Sequence, residues 1–288
     1  MFGGGGNPST GGGSEGNNNN PPPTCENPVL QNPQNPDLNS SENPCGTGVP
    51  TQPNLPLPNK ETPCKILKDN DAIPELKHKM DSLKLRVTQA NPDKHETLVV
   101  ITKEEPSGEL IYNTYVAPTS GNGYMGVSGQ GTNNDVADIH NHPPNTIPIF
   151  AFGDIVNIYD SYKFLYPNRK QVFVSYLVNF NGTTYAIKIN DTTALDALFA
   201  GMNIGTATTT KAQRKLANEK VEAIFKKHGM DNEKTYNQAD AEKLFMDVIN
   251  NPIIGAGSGV HIYRKDNDGW GKLNMDSNGN ITKENCPL

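Results

Sequence analysis

Two histidines and one aspartate in the middle of the chain have the residue types and spacing of a metal site. His140 and His142 are separated by one residue, and Asp154 follows twelve positions after the second histidine. On an extended segment, side chains two residues apart point to the same side, so both imidazoles can reach one ion. A catalytic zinc takes three protein ligands and leaves one position for water. The pattern therefore predicts that His140, His142 and Asp154 bind Zn²⁺.

A water molecule activated by zinc also needs a general base that takes its proton and later delivers it to the leaving amine. Glu96 is the preferred candidate because it opens the first predicted strand of the sheet, where His95 before it would point the other way. Three other glutamates lie in or just after a predicted hairpin turn, where charged side chains usually face solvent: Glu104, Glu105 and Glu109.

Each of these residues also has a simpler interpretation. Asp154 is the kind of acidic residue that stabilises the first turn of a helix, and Glu96 is compatible with a solvent-exposed strand start. The segment "DVADIHNHPP" is compatible with a polar turn after a buried strand. The combination of H-x-H, two prolines and a helix-opening aspartate favours metal ligation. The remaining histidines have no partner spacing and are interpreted as surface or core residues: His78, His95, His228 and His261.

The flanking sequence predicts the elements that would hold the site. Apolar residues at helical spacing predict a helix over 73–87, and a second over 152–166 would place Asp154 in its first turn. Strands are predicted at 96–102, 109–116, 135–142, 171–180 and 183–190, helices at 192–202, about 209–228 and 237–250, and a final hairpin at 260–265 and 270–276. The predicted fold class is α+β, a mixed α/β domain.

Composition divides the chain into three parts. Residues 1–63 consist largely of glycine, asparagine and proline runs, which cannot bury enough apolar surface to offset the entropy of ordering them. We expect this segment to be a disordered tail. Residues 64–190 are expected to form the core that carries the site, and 191–288 a helical extension with the terminal hairpin, packed on the same domain.

Charge and hydropathy limit the partners. The net charge is −6, the isoelectric point is about 5.5, and no basic block is present, so nucleic acid and anionic membranes are poor candidates. No apolar window approaches the roughly 18 residues of a membrane span. The first residues lack a charged region followed by an apolar one, so we expect no ordinary secretory signal. We therefore expect a protein that stays inside the cell, leaves by a specialised route, or is a fragment of a longer chain.

The four cysteines contain no C-x-x-C pair, which argues against a zinc ribbon. A zinc deaminase is also excluded, since it requires H-x-E and a P-C-x-x-C pair. Because domain termini often lie close together, Cys64 and Cys286 could form a staple, with Cys25 and Cys45 closing a loop of the tail. The alternative is four free thiols near flexible ends, and an oxidising compartment would favour the disulfides.

The segment "IHNHPPNTIPIFAFGDI" resembles the metal motif of the JAB/MPN (JAMM) zinc metallopeptidases. That pattern has an upstream glutamate, H-x-H, seven residues, a serine, two residues and an aspartate. The resemblance covers roughly 73–190 and is closest to a bacterial, Bacteroidetes-type subgroup whose domains follow low-complexity tails. It implies a cytidine-deaminase-like central sheet flanked by helices, Zn²⁺ held by His140, His142 and Asp154, and Glu96 as catalytic base.

The sequence departs from this pattern in two places. The span from His142 to Asp154 is one residue longer, and Ala151 occupies the serine position. The family serine would polarise the substrate carbonyl, and losing one such donor costs on the order of 10²–10³ in rate. Backbone N–H groups or the hydroxyl of Thr146 could replace it.

The resemblance implies a peptidase or isopeptidase whose substrate is a protein or peptide, deployed as an exported effector. A secretion apparatus or an immunity protein would be a further partner, which the sequence does not identify. One alternative is a metal-binding recognition module with weak catalysis, which Ala151 supports. A second alternative is a toxin domain with a non-peptide target.

Overall fold

The structure is a computed structural model. It describes residues 62–117, 132–144, 146–201, 237–250 and 259–287, together with the isolated positions 212, 216, 219, 220 and 223. All of these belong to one compact unit, Asn59–Leu288. Two expectations lie wholly or mostly outside the described residues: the tail (1–63) and the helix at 209–228.

Helices and strands alternate along the described part of the chain. The helices are α1 (Pro63–Asp71), α2 (Pro74–Thr88), α3 (Phe152–Phe164), α4 (Pro167–Val172), α5 (Thr192–Gly201) and α6 (Gln238–Asn250). The strands are β1 (Thr97–Lys103), β2 (Leu110–Val116), β3 (Asp135–His142), β4 (Val174–Asn179), β5 (Thr184–Ile189), β6 (Val260–Asp266), β7 (Gly269–Met275) and β8 (Ile281–Asn285). The fold is therefore mixed α+β.

The eight strands of the described residues form one sheet in the order β2-β1-β3-β4-β5-β6-β7-β8. Every neighbouring pair is antiparallel except β3 and β4, which run parallel. Parallel neighbours need a crossover connection, and α3 and α4 supply it between β3 and β4. Ligand sites commonly form where such a crossover leaves the carboxyl end of a strand. In this chain that place is the end of β3.

Alternating side chains along the strands give the sheet two apolar faces. On one face, α1 and α2 pack through Leu67, Leu76 and Met80 against residues such as Ile139 of β3. On the other face, α3, α5 and α6 pack against β4 to β7. Both faces of the central strands are covered, and every residue of β4 and β5 is buried. Histidines 140 and 142 alternate with Ile139, so they face the side where α3 lies.

Most predicted elements are confirmed within one or two residues at each end, and three elements were missed. α1 was not predicted as a helix, and only its first residue, Pro63, was assigned to the tail. Thr62 caps α1 by accepting the Lys65 N–H, and Pro63 stands at its first position, which proline tolerates. The helix predicted over 152–166 ends earlier, and α4 begins at Pro167. As a result, the strand predicted from 171 starts only at Val174.

The third missed element is β8, which turns the predicted final hairpin into three antiparallel strands. Its sequence, Ile-Thr-Lys-Glu-Asn, has little apolar alternation because it is an exposed edge strand. A disulfide between Cys64 and Cys286 joins α1 to the residue after β8, which confirms that predicted pair. Cys25 and Cys45 lie outside the described residues. None of the helices that the structure describes is long and apolar enough to cross a membrane.

Candidate metal centre

The two histidines lie at the carboxyl end of β3 and share one face of the sheet, as strand alternation predicted. His140 pairs with Leu98 of β1 and with Leu177 of β4, and His142 pairs with Asn179 of β4. Both are well buried, with side chains 12% and 3% exposed. The Phe150 ring packs edge-on against the His140 ring, with centroids 5.5 Å apart. The imidazoles therefore occupy fixed positions between strands and an aromatic wall.

Asp154 is in the first turn of α3, where the sequence placed it. Its Oδ2 accepts the Ala151 N–H at 2.6 Å, and its own N–H donates to the Ala151 carbonyl at 3.1 Å. These bonds cap the N-terminus of α3 and fix the Asp154 carboxylate in one orientation. Asp154 thus serves as a helix-terminal acid and faces the histidines at the same time.

The three predicted ligands converge on one point. Asp154 Oδ2 lies 3.6 Å from His140 Nε2 and 3.4 Å from His142 Nε2. One ligand atom from each residue fits within 4.8 Å of the other two. Two imidazole nitrogens and one carboxylate oxygen form a donor set typical of zinc with an open coordination position. The one-residue-longer span between His142 and Asp154 therefore does not prevent convergence.

Two hydrogen-bonding details show that the residues fit a metal ion. The carbonyl oxygen of Ile147 lies 2.8 Å from His142 Nδ1 and can only accept, so Nδ1 carries a hydrogen, and in the neutral imidazole Nε2 then has the lone pair that a metal needs. A second-nitrogen bond of this kind is usual for metal-bound histidine. Within the described part of the chain, the buried His140 Nε2 has no hydrogen-bond partner. An ion would satisfy that nitrogen.

Glu96 precedes β1 directly, beside the end of β3, and is partly buried. Its carboxylate interacts electrostatically with His142, His140 and Asp154, so it lies in the neighbourhood of the three candidate ligands. The other three glutamates are exposed and lie in or beside the β1–β2 turn, where Glu105 pairs with Arg169. The structure therefore brings Glu96 to the site and leaves the alternatives away from it.

Burial and charge shift the pKa values of the site in opposite directions. Burial opposes ionisation of Asp154, but the two imidazoles outweigh it and hold the pKa of Asp154 well below its usual range. Burial alone would lower the pKa of His140, but the Asp154 carboxylate beside it raises the pKa above its ordinary value. Burial raises the pKa of Glu96, and the two histidines partly offset this. A raised carboxyl pKa suits a group that accepts and returns a proton near neutral pH.

The two positions considered for carbonyl polarisation offer no free side-chain donor. Ala151 is the N-cap of α3, and its methyl group cannot form a hydrogen bond. The Thr146 hydroxyl donates its single hydrogen to the Pro143 carbonyl oxygen at 2.7 Å. The suggested replacement of the family serine by Thr146 therefore has no support in this geometry.

The structure adds residues around the site that the sequence analysis did not single out. Asp138 lies two residues before His140 on the same face, and the Ser175 hydroxyl donates to its carboxylate at 2.5 Å. Burial raises the pKa of Asp138 to about 6. Asn141 is fully buried and bonds to the backbone on both sides of Glu96. Asn141 stands between the two histidines, but strand alternation gave no reason to connect it with them.

Comparison with known protein families, curated proteins and solved structures finds no match for this chain. The functional interpretation therefore depends on the residues of the site and their geometry.

Proposed function

We propose that the chain is a zinc-dependent hydrolase of peptide or isopeptide bonds, with a JAMM-like site of His140, His142, Asp154 and Glu96. The single observation that carries the proposal is that one ligand atom from each of the three residues His140, His142 and Asp154 lies within 4.8 Å of the other two. The partly buried carboxyl group of Glu96 lies near them. A structural zinc site would be closed by four protein ligands. Three ligands with an adjacent carboxylate are the arrangement of a catalytic centre.

Each residue has a defined part in this mechanism. His140, His142 and Asp154 would hold the zinc ion, which when bound polarises a carbonyl group and acidifies water. The Ile147 carbonyl and the Ala151 N–H orient His142 and Asp154.

Glu96 takes a proton from the attacking water and returns it to the amine nitrogen as the C–N bond breaks. The raised pKa makes Glu96 a stronger base than an ordinary carboxylate, and a pKa closer to the working pH suits a group that both accepts and returns a proton. Because both transfers use the same carboxyl group, replacing it should abolish turnover while leaving the metal ligands intact.

The first test is the zinc content of purified protein, measured by elemental analysis without chelators. We expect about one zinc per chain in the wild type and almost none in His142→Ala. Asp154→Asn is a closer probe, because an amide oxygen can still accept the Ala151 N–H but is a much weaker zinc ligand. His78→Ala is the matched control, since His78 is exposed on α2. A zinc-free, folded wild type would remove the basis for the proposal.

The second test is hydrolysis of a library of linear peptides and lysine-linked isopeptides, with the products identified by mass spectrometry. We expect cleavage that zinc restores after chelation and that Glu96→Gln abolishes while it retains zinc. Equal cleavage by Glu96→Gln and wild type would contradict the assignment of the base.

The alternative function is recognition by a metal-binding module with little catalysis. The observation in its favour is that neither Ala151 nor Thr146 offers a free hydrogen-bond donor to a substrate carbonyl. A zinc-loaded wild type that cleaves no library member but binds peptides would favour this alternative.

A further inference from the structure

We infer that Asn141, the residue between the two histidines, is a positioning residue that holds Glu96 in place for proton transfer. The inference rests on the function proposed above, in which Glu96 is the general base. It concerns a residue whose side chain bonds to the backbone of His95 and Thr97. Its effect on chemistry would pass through the backbone around Glu96.

The Asn141 side chain bonds to the residues on both sides of Glu96. Its Oδ1 accepts the Thr97 N–H, and its Nδ2 donates to the His95 carbonyl oxygen at 3.4 Å. The amide orientation follows from these partners, because a backbone N–H can only donate and a carbonyl can only accept. Asn141 is 0% exposed, so no water competes for these bonds.

These bonds occur where the backbone pairing of β1 with β3 stops. The last pair is Leu98 with His140, and the next pair would have been Thr97 with Asn141. There the Asn141 side chain replaces the missing backbone partner. Continuing the register one step further would set Glu96 opposite His142, and opposed residues of antiparallel strands share a face. These two hydrogen bonds of the Asn141 side chain, which we call the clamp, therefore keep the Glu96 side chain on the same face of the sheet as the histidines, beyond the end of the β1–β3 pairing.

The same backbone is held from the other side by the residue after β2. The Ala117 N–H donates to the Glu96 carbonyl oxygen at 2.9 Å, and the Ala117 carbonyl bonds to His95 Nδ1 at 3.0 Å. Glu96 thus lies directly before β1, between two fixed neighbours. A small displacement of a catalytic group can cost much of its rate, which makes such anchoring consequential for a base.

The competing explanation is that Asn141 only satisfies the backbone groups left unpaired at the end of the β1–β3 pairing and so stabilises the sheet. Both explanations predict that losing the clamp lowers stability, since a buried Thr97 N–H would lose its partner. Only the positioning role predicts that the effects of replacing Asn141 and Glu96 on the metal centre depend on each other.

The experiment uses full-length protein loaded with Co²⁺, whose visible absorption reports on the metal environment. The pH profile of that absorption is recorded for wild type, Glu96→Gln, Asn141→Leu and the double variant. Tyr176→Phe is the matched control, because it removes a partly buried hydrogen bond that Asn70 donates to Tyr176 on the opposite face of the sheet. Asn141→Leu removes both clamp bonds at similar volume. Asn141→Asp keeps an acceptor for Thr97 but places a carboxylate against the His95 carbonyl, and serves if Asn141→Leu does not fold.

We expect each Asn141 variant to bind one Co²⁺ per chain and to shift the midpoint of the pH profile by roughly one unit in the same direction as Glu96→Gln. The double variant should show no more than the Glu96→Gln shift, because the two residues act through one carboxylate. Tyr176→Phe should match wild type.

A wild-type profile in folded Asn141 variants, or shifts that simply add in the double variant, would overturn the inference and leave the metal site standing. Absence of Co²⁺ binding by wild type would instead overturn the proposed function, and this inference with it.

Discussion

The Nδ1–H of His142 donates to the carbonyl oxygen of Ile147, five residues later, at 2.8 Å. This bond closes the loop after β3 and fixes which imidazole nitrogen is free. The free Nε2 lies 3.4 Å from Asp154 Oδ2. The loop that follows the H-x-H segment therefore prepares one of the two histidines before any ion binds.

Because the candidate ligands are already in position in the folded chain, we predict that zinc stabilises it. Adding Zn²⁺ to chelator-treated wild type should raise the melting temperature, because a ligand at a hundred times its dissociation constant adds about 2.7 kcal/mol to folding. His142→Ala should lose this response, and His78→Ala should keep it. Mg²⁺ should have little effect, since it prefers oxygen ligands. Thermal unfolding monitored by fluorescence measures all four cases, and an equal response in His142→Ala would place zinc elsewhere.

Ala151→Ser should stabilise the protein and increase hydrolysis. Ala151 is the N-cap of α3 with extended backbone angles, φ −77° and ψ 160°, and has no side-chain acceptor. Serine there can accept a helix N–H, which adds about 1 kcal/mol, and its hydroxyl hydrogen remains available to a substrate carbonyl. We expect kcat/KM on a cleaved peptide to rise by up to about 10²-fold.

Ala151→Val is the control for that change, because it adds volume without a hydroxyl. Urea unfolding and peptide cleavage measure the two effects separately. If serine stabilises the helix but leaves cleavage unchanged, position 151 does not face the substrate carbonyl.

The segment just before Glu96 should contribute less to folding stability at acidic pH, because Asp93 becomes protonated there. Burial opposes ionisation of Asp93, but the His95 N–H and the Arg86 guanidinium outweigh it and hold the pKa of Asp93 below its ordinary value. A lowered folded-state pKa stabilises the folded chain above the unfolded value of about 3.9, and this contribution is lost as the pH falls through the folded value.

Asp93→Asn should therefore cost on the order of 1 kcal/mol at pH 7, allowing for partial exposure of the pair, and the difference from wild type should shrink below about pH 4. Urea unfolding across pH 3–7 checks this. Asp81→Asn is the control, because its ion pair with Lys77 is an exposed one on α2. A difference that grows toward low pH would reverse the assigned sign.

The Cys64–Cys286 disulfide should contribute strongly to stability, since it joins residues 222 positions apart. Closing a long loop restricts the unfolded chain, and losing a native disulfide typically costs about 2–5 kcal/mol. Cys64→Ser/Cys286→Ser should unfold at lower urea concentration by that amount. Peptide mapping without reductant should recover the Cys64–Cys286 pair from wild type, and two free thiols at these positions would contradict it.

Local patterns predicted the parts of the site that depend on short-range rules. Strand alternation placed His140 and His142 on one face, and the helical pattern after the prolines placed Asp154 in a first turn. The elements that were missed lacked such a pattern. α4 begins at a proline, directly after a predicted helix, and β8 is an exposed edge with little alternation. The sequence therefore determined the candidate ligands of this protein, because each depends on its own few neighbours.

Only the tertiary structure decided what surrounds those ligands. The strand order brought Glu96 beside β3, although more than forty residues separate it from the histidines in the sequence. Where the β1–β3 pairing ends, the Asn141 side chain bonds to the backbone next to Glu96. In the folded loop, the Thr146 hydroxyl donates to the Pro143 carbonyl, and the Ile147 carbonyl accepts a hydrogen bond from His142. These relationships depend on which buried donors and acceptors meet when distant segments pack together. Spacing along the chain does not contain that information.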